Sequence, residues 1–417
     1  MGEMVAASLS LRSPSLASSL VSDGLSSSVD EKGLQTFYRG KKVMITGHTG
    51  FKGSWLSVVL SNLGAKVVGF SSCSKEEIRL FDLCGIEREI IHIKGNIQNF
   101  QTVLQAFQEH KPEIVIHMAA QPLVRFSYEN PLETYATNVM GTVHVLEAVR
   151  RTGSVKSVVN VTTDKVYENK EWCWGYRENE PLDGFDPYSN SKSCSELVTH
   201  AYIRSFFSSS SPSSSSLSSS GGSSSSSSSS GGSSSESSLG IRISTARAGN
   251  VIGGGDFAKD RIIPDCVRAA IIKQPIVVRN PSSIRPYQHV LEPLFAYLRI
   301  AQEQYENVEK AGYYNVGPDE KDCVSTRELV ELFCKEWGEG LSWINKSENN
   351  APHEANFLKL DCSRMKSVFK WKPRWGIKKA IEKTIEWSKV WQSGKDVREI
   401  MNKQIEEFVN ATKSNME

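Results

Sequence analysis

Two short segments carry acidic, basic and phenolic side chains close together in the chain. VTTDKVYENK places Asp164 beside Lys165 directly after an apolar run, and DPYSNSK holds Tyr188 and Lys192 four residues apart. An acid beside an amine can protonate a leaving hydroxyl and remove a carbon-bound proton, which a dehydration requires. Residues four apart share one face of a helix. An ammonium beside a phenol stabilises the phenolate, so such a tyrosine can act as a base below its free pKa of about 10.

Strands and helices alternate around these residues from Lys41 onward. Apolar, strand-like runs such as KKVMITG, AKVVGFS, EIVIHMAA and KSVVNVTTD are separated by stretches of helical periodicity. Several of these strands are apolar on both faces, which is typical of a parallel sheet covered by helices. We therefore predict an α/β fold, a doubly wound parallel sheet of the Rossmann, NAD(P)-binding type, with a smaller, mixed C-terminal substrate lobe.

The predicted sheet gives the acid and the amine a defined position. Asp164 and Lys165 follow the strand SVVNVTT, whose carboxyl end carries the hydroxyls of Thr162 and Thr163. Ligands of open α/β sheets bind outside the carboxyl ends of the strands. The simpler alternative to an active site is that Asp164 and Lys165 are a solvated charge pair in a turn and that Tyr188 and Lys192 are a surface pair on a helix. The position favours an active site.

Composition divides the chain into segments. Residues 1–38 are rich in Ser, Leu and Ala, and we predict a disordered tail, with organelle targeting as an alternative. Residues 208–238 are nearly all Ser, which predicts a disordered insert at a loop tip, or alternatively a linker between domains. We expect the dinucleotide-binding domain at 39–255, the substrate lobe with segments that return to the first domain at 256–410, and a tail at 411–417.

Bulk properties exclude several classes of function. The 417 residues are 39% hydrophobic and 23% charged, with a formal net charge of +2, so no basic field argues for nucleic-acid binding. No apolar run is long enough to span a bilayer. The eight cysteines are scattered without CxxC spacing or a histidine cluster, which argues against a metal site and a disulfide framework. We expect a cytoplasmic protein with no metal, membrane or nucleic-acid partner.

A glycine-rich turn joins the first strand to the first helix. TGHTGFKG spaces Gly47, Gly50 and Gly53 so that they allow a tight turn, close approach of a pyrophosphate, and helix–sheet packing. The helix N-terminus then offers free N–H groups to phosphates. An ordinary glycine-rich turn is the alternative. No acid follows the second strand until Glu76, so the residues leave the choice between NAD and NADP open.

Seven motifs, in order, carry a resemblance to a known family. These are TGHTGFKGSWL, AAQPLV, TTDKVYEN, GYRENEPL, DPYSNSK, GGGDFAKDRIIPD and RPYQHVLEPL. They resemble the CDP-glucose 4,6-dehydratases, a family of the extended short-chain dehydrogenase/reductase superfamily, from about Lys41 to about Phe408. The resemblance implies dehydration of CDP-glucose to CDP-4-keto-6-deoxyglucose by internal hydride transfer from carbon 4 to carbon 6. It also implies a tightly bound NAD, regenerated in each turnover, and a homodimer.

The same resemblance assigns catalytic roles. Tyr188 would take the proton of the carbon 4 hydroxyl, and Thr163 would polarise the carbon 4 oxygen. Lys165 would remove the proton on carbon 5, and Asp164 would protonate the leaving hydroxyl on carbon 6. A base amine needs a depressed pKa, for which desolvation and Lys192 are candidate causes. Lys192 would also reach the nicotinamide ribose.

Further positions match the family's binding residues. The cofactor would contact Gly47, Gly50, Phe51, Gly53, Asn96, Ala119, Ala120, Gln121, Thr162, Tyr188 and Lys192. The sugar nucleotide would contact Asn250, Arg261 and Arg285, where an arginine fork suits a diphosphate. We expect Asn138 to support the catalytic strand, His117 to be a core histidine, and His289 to be structural or at the rim. Trp172 and Trp174 could either stack on a ligand or pack a loop.

Three other functions remain open at this stage. A sugar-nucleotide 4-epimerase would share the cofactor, Tyr188 and Lys192 but needs no acid–amine pair. A dehydratase for another nucleotide sugar would share all four residues. A non-catalytic NAD-binding sensor would bind the cofactor and turn over nothing.

Overall fold

The computed structural model describes residues 29–72, 78–207, 240–346 and 357–411. The strands are β1 Lys42–Thr46, β2 Lys66–Ser71, β3 Ile91–Lys94, β4 Ile114–His117, β5 Ser157–Thr163, β6 Arg242–Ala248, β7 Val251–Ile252, β8 Ile276–Val278, β9 Ile284–Arg285, β10 Gln288–His289, β11 Tyr313–Val316, β12 Val324–Ser325 and β13 Trp343–Asn345. The helices are α1 Val29–Tyr38, α2 Phe51–Asn62, α3 Leu80–Leu83, α4 Phe100–His110, α5 Val124–Glu129, α6 Pro131–Tyr135, α7 Gly141–Thr152, α8 Pro187–Tyr202, α9 Ile262–Ile271, α10 Leu291–Glu306, α11 Thr326–Trp337, α12 Ser363–Phe369, α13 Ile377–Gln392 and α14 Val397–Asn410.

A seven-stranded parallel sheet forms the centre of the molecule, in the order β11-β6-β5-β4-β1-β2-β3. Every residue of β4 and β5 is buried. Strands that are buried on both faces require helices on both sides of the sheet. One layer of apolar side chains packs α1, α2, α10, α13 and α14 against one face, and another packs α4, α7 and α8 against the other. The predicted doubly wound α/β fold is confirmed.

The chain reverses its direction of travel across the sheet beside β1. From β1 it runs outward through β2 to β3, and then returns to β4 on the opposite side of β1. The carboxyl ends of β1 and β4 therefore border a crevice at a topological switch point, where open α/β sheets bind ligands. The next strand, β5, ends at the same edge with Thr163, directly before Asp164 and Lys165.

The C-terminal part of the chain both builds a lobe and returns to the sheet. Helices α9 and α11, the strands β8 and β13, and the first turns of α13 share a separate apolar core. By contrast, α10 packs on the sheet, and β11 pairs in parallel with β6 as the outermost strand. The lobe therefore faces the carboxyl edge of the sheet across a cleft.

The predicted disordered tail at 1–38 is wrong for its last part. Residues 29–38 form α1, and the Tyr38 side chain is fully buried, with its hydroxyl donating to the Leu298 carbonyl at 2.8 Å. Burying a large aromatic ring offsets the ordering entropy of a short helix. The rest of that tail, the Ser-rich insert at 208–238 and residues 412–417 lie outside the described residues.

Within the described ranges, no group of three or more His, Cys, Asp or Glu side chains could hold a metal ion. No helix in the same part of the chain is long and apolar enough to cross a membrane.

Candidate active site

The glycine turn between β1 and α2 has the shape that its spacing predicted. Gly47 has a φ of +77°, and a Cβ there would lie 2.8 Å from the Ala119 backbone nitrogen. A Cβ on Gly53 would lie 2.2 Å from the Gly47 carbonyl oxygen. These two glycines are needed for the fold itself, because they let the turn, the helix and the loop after β4 approach each other closely.

Gly50 has no such internal reason to be glycine. Its φ is −74°, and a Cβ there would meet only the Gly47 carbonyl oxygen, at an ordinary 3.5 Å. The space in front of Gly50 and the N-terminus of α2 is therefore open. A pyrophosphate fits this cradle, since helix N-terminal N–H groups are anion donors and a side chain would fill the approach.

The catalytic segment is held by its own short-range contacts. Thr163 ends β5, and its Oγ1 donates to Asp164 Oδ1 at 2.9 Å. Lys165 Nζ donates to Asp164 Oδ1 and to Asn250 Oδ1, both at 3.3 Å. Asp164 is only 1% exposed, and its Oδ2 has no hydrogen-bond partner within the described residues. A buried carboxylate oxygen without a partner is costly and marks a place where a ligand group is expected.

Tyr188 and Lys192 lie on α8, whose start is capped by Asp186, which accepts from the Ser189 N–H at 3.0 Å. Burial raises the pKa of Tyr188 to about 12, although a hydrogen bond with Thr163 opposes the shift. Burial, together with the nearby Lys52, lowers the pKa of Lys192 to about 7. The expectation that Lys192 holds the pKa of Tyr188 below 10 is therefore wrong for the described chain, because desolvation of the phenolate outweighs the favourable contacts.

A cleft of about 770 Å³ lies between the sheet edge and the C-terminal lobe. It collects residues that are far apart in sequence, because β5, β6 and α8 all end or begin at this edge. The predicted site residues that line it are Phe51, Thr162, Thr163, Asp164, Lys165, Tyr188, Asn250, Arg261 and Arg285. Those that do not line it are Gly47, Gly50, Gly53, Asn96, Ala119, Ala120, Gln121 and Lys192.

Several predicted cofactor residues already have partners inside the protein. Thr162 Oγ1 donates to Glu196 at 2.5 Å, and Lys192 Nζ donates to the Val161 carbonyl at 3.2 Å. Asn96 Oδ1 accepts from the Gln98 N–H at 2.9 Å and so braces its own turn. These contacts fix side chains around the predicted cofactor position and leave the binding roles as predictions.

Gln121 and Asn138 form a brace beside the switch point. Asn138 accepts from the Gln121 N–H at 2.8 Å and donates to the Gln121 carbonyl and to Ser191 Oγ. The Gln121 side chain bonds to Thr134 and to the backbone of Leu123. Asn138 was expected to support the catalytic strand, but its contacts join the loop after β4 to α8.

Two histidines and two tryptophans near the site in sequence lie outside the cleft. His117 is buried, and its ring nitrogens lie 2.7 Å from Thr46 Oγ1 and 3.2 Å from Thr142 Oγ1, as expected of a core histidine. His289 is fully buried near Trp55. Trp172 stacks on Tyr176, and Trp174 is 61% exposed; neither tryptophan lines the cleft.

Sequence reasoning missed a set of charged residues in the cleft. Lys52 lies on the first turn of α2. The charges of Asp164, Asp256 and Arg261 act on its pKa. Burial and Arg261 lower the pKa of Lys52 to about 8, although the carboxylates of Asp164 and Asp256 act to raise it. Arg261 donates to Asp256 at 3.0 Å. The signal for Lys52 was present in GFKG, where a lysine stands between the two glycines that open the helix, but only the glycines and Phe51 were assigned a role.

Comparisons with known proteins found similar sequences and similar folds. The family model for GDP-mannose 4,6 dehydratase matches residues 44–212. A CDP-glucose 4,6-dehydratase of Salmonella typhimurium is 44% identical over 379 residues, which cover 91% of this chain and 99% of that protein. Among solved structures, a UDP-glucose 4-epimerase of Thermotoga maritima has a TM-score of 0.67 at 18% identity, covering 83% of this chain and 97% of that one. A dTDP-glucose 4,6-dehydratase of Bacillus anthracis has a TM-score of 0.64 at 20% identity, covering 85% and 99%.

Proposed function

The chain belongs to the CDP-glucose 4,6-dehydratase family, and from that premise we propose that it removes water from CDP-glucose to give CDP-4-keto-6-deoxyglucose. The observation that supports this most strongly is the acid–amine pair on the wall of the cleft. Asp164 keeps a buried carboxylate oxygen without a partner beside Lys165 and Thr163. A 4-epimerase expels no hydroxyl and therefore needs no acid to protonate a leaving group, so this pair favours dehydration.

For each proton that the reaction moves, this arrangement supplies a side chain that can accept or donate it. Tyr188 takes the proton of the carbon 4 hydroxyl, and the Thr163 hydroxyl polarises the carbon 4 oxygen. The ketone so formed acidifies carbon 5, whose proton Lys165 removes and later returns. Asp164 protonates the leaving hydroxyl of carbon 6. The water released combines the carbon 6 hydroxyl with the proton from Asp164, and the proton that Tyr188 took from the carbon 4 hydroxyl restores Asp164, so no proton is gained or lost overall.

We propose NAD as the cofactor, which when bound would accept the carbon 4 hydride and return it to carbon 6. The open cradle over Gly50 and the N-terminus of α2 would hold its pyrophosphate. Lys192 and Tyr188 would lie beside the nicotinamide end of the cofactor. The sugar nucleotide would be faced by Asn250, Arg261 and Arg285. Because the hydride returns in the same turnover, we expect no net NADH.

Mass spectrometry of purified protein incubated with CDP-glucose, or with dTDP-, UDP- or GDP-sugars, tests the proposal. We expect loss of one water from CDP-glucose only, without net absorbance of NADH. Water loss from another nucleotide sugar would retain the chemistry but contradict the specificity. Sugar interconversion without water loss would indicate an epimerase. NAD binding without any turnover would indicate a sensor. Asp164→Asn provides the control that keeps the shape of the site and removes the acid.

We also propose that the chain forms a homodimer through α6, α7 and α8. Leu132 on α6 is 84% exposed, Met140 between α6 and α7 is 47% exposed, and Leu197 on α8 is 52% exposed. Large apolar side chains exposed on neighbouring helices support a surface that another copy covers. Light scattering should give a dimer mass that Leu132→Glu with Leu197→Glu reduces to a monomer; a monomeric wild type would contradict the proposal.

We further propose a cytoplasmic location, with organelle targeting by the N-terminal residues as the alternative. The cysteines of the described residues are free, which supports a reducing compartment. Fractionation of cells that express the full chain would decide between the two, since import would place the protein in the organelle fraction.

A further inference from the structure

A fully buried ion pair lies directly beneath the catalytic edge of the sheet. Glu196 on α8 is 0% exposed and Arg247 on β6 is 1% exposed. Arg247 Nε and one terminal nitrogen donate to the two oxygens of Glu196, each at 3.0 Å. This bidentate geometry is the strong form of an arginine–carboxylate pair. Apolar replacement of such a buried pair is often neutral or stabilising, so stability alone does not account for it.

The carboxylate of Glu196 joins the catalytic strand to the catalytic helix. Its Oε1 accepts from Thr162 Oγ1 at 2.5 Å, and its Oε2 accepts from Thr245 Oγ1 at 2.7 Å. Thr162 directly precedes Thr163, so this bond holds the end of β5. Glu196 also lies one helical turn after Lys192 on the same face of α8.

Arg247 extends the connection to the part of the chain that follows Lys165. Its second terminal nitrogen donates to the Tyr167 hydroxyl at 2.9 Å and to the Glu178 carbonyl at 3.0 Å. Three residues further along the chain, Asn250 accepts from Lys165 Nζ. The ion pair therefore contacts β5 and α8 where each carries residues of the proposed site, and β6 just before Asn250.

We propose that Glu196 and Arg247 are positioning residues of the dehydration, which hold Thr162, Lys192 and the Asp164–Lys165 segment in one register. They act through these residues and do not line the cleft themselves. The inference rests on the function proposed above. Displacement of a reacting group by about 1 Å can cost about 10²-fold in rate, so the geometry of this support bears directly on turnover.

The charge of Glu196 also acts on Lys192. Three charged or titratable groups face that amine: Lys52 from α2 and Glu196 from its own helix, with His117 from β4. Burial and Lys52 lower the pKa of Lys192, and Glu196 raises it. His117 is neutral above pH 3, because burial and Lys192 lower its pKa to about 3. Removing the negative charge of Glu196 therefore lowers the pKa of Lys192 further.

The test uses the holoenzyme of Glu196→Gln combined with Arg247→Met. Glu196→Gln alone leaves the arginine buried without a counter-charge and is expected to fold poorly. The double variant removes both charges and keeps hydrogen-bond partners for Thr162 and Thr245. Glu292→Gln is the matched control, since Glu292 is a fully buried carboxylate that accepts N–H groups from Arg374 and Trp375, away from the cleft.

We expect kcat of the folded double variant to fall about 10²-fold, with little change in KM, while Glu292→Gln keeps the wild-type kcat. The alkaline limb of the kcat–pH profile should move to lower pH by about one unit, because an opposite charge has been lost near Lys192. A wild-type kcat and pH limb in the double variant would overturn the proposal. An equal loss in Glu292→Gln would overturn it too, since the effect would then reflect any lost buried carboxylate.

Crystal structures of wild type and double variant separate this inference from the proposed function. The Lys192 Nζ–Val161 carbonyl contact of 3.2 Å should be present in the wild type and lost in the variant. If the wild type dehydrates no nucleotide sugar, the proposed function fails, and the structures still decide the positioning role. An intact contact in the variant would refute it even with an active wild type.

Discussion

Lys192→Met should make the protein without cofactor more stable while abolishing turnover. Burial and Lys52 lower the pKa of Lys192 from 10.5 to about 7, so the folded state binds its proton less tightly than the unfolded state. A shift of that size corresponds to about 5 kcal/mol of destabilisation below pH 7. The lost hydrogen bond to the Val161 carbonyl offsets about 1–3 kcal/mol of that gain. We therefore expect a net stabilisation of about 2–4 kcal/mol at pH 7.

The pH dependence of this gain follows from its sign. Between pH 7 and 10.5 the unfolded lysine keeps its proton while the folded lysine has lost it, so the wild type regains about 1.4 kcal/mol per pH unit. The advantage of the variant should shrink by the same amount and vanish within this window. Urea unfolding of both proteins at each pH from 6 to 10 measures it directly.

Lys383→Met is the matched control of opposite sign. Lys383 is also buried, and burial alone would lower its pKa, but hydrogen bonds to Glu386 and Glu407 raise it overall. Its stabilising contribution is therefore present throughout the neutral range, and the variant should be less stable than the wild type there. A Lys192→Met variant that is less stable than the wild type from pH 6 to 8, or whose gain in stability does not change with pH, would contradict the lowered pKa of Lys192.

Three further predictions concern the turn, the phenol and the lysine of α2. Lys52→Met removes the cation that lowers the pKa of Lys192, so the alkaline limb of the kcat–pH profile should move to higher pH; an unmoved limb would contradict the proximity of the two amines. Gly53→Ala places a Cβ 2.2 Å from the Gly47 carbonyl oxygen and should cost about 2 kcal/mol or more of stability. It should also weaken NAD binding, which calorimetry would measure. Tyr188→Phe should retain NAD and lower kcat by about 10²–10⁴-fold, and wild-type turnover in this variant would exclude the phenol as the base.

The fold was predictable because its signals are local. Strand β4, for example, carries apolar residues on both faces in the sequence and is fully buried in the sheet. Helix α1 was missed for the opposite reason. Its reason to fold is the burial of Tyr38 against α10, a contact that spans 260 residues and leaves no pattern in the tail itself.

Without the family resemblance, the candidate site was predictable only where its members are neighbours in the chain. Asp164 and Lys165 are adjacent, and the spacing of Tyr188 and Lys192 matches a helical turn. The Glu196–Arg247 pair forms across 51 residues, between α8 and β6, and requires the register of the strands to be known. The pKa of Tyr188 was misjudged because the sequence does not give the extent of burial.

NMR and mass spectrometry of the product from CDP-glucose deuterated at carbon 4 would show whether the protein dehydrates its substrate by internal hydride transfer. We predict loss of one water and a product that carries the deuterium on carbon 6, because the hydride moves within one substrate molecule. Deuterium that remains on carbon 4 of a sugar without water loss would contradict it in favour of an epimerase. Deuterium absent from carbon 6 of a dehydrated product would contradict the internal hydride transfer.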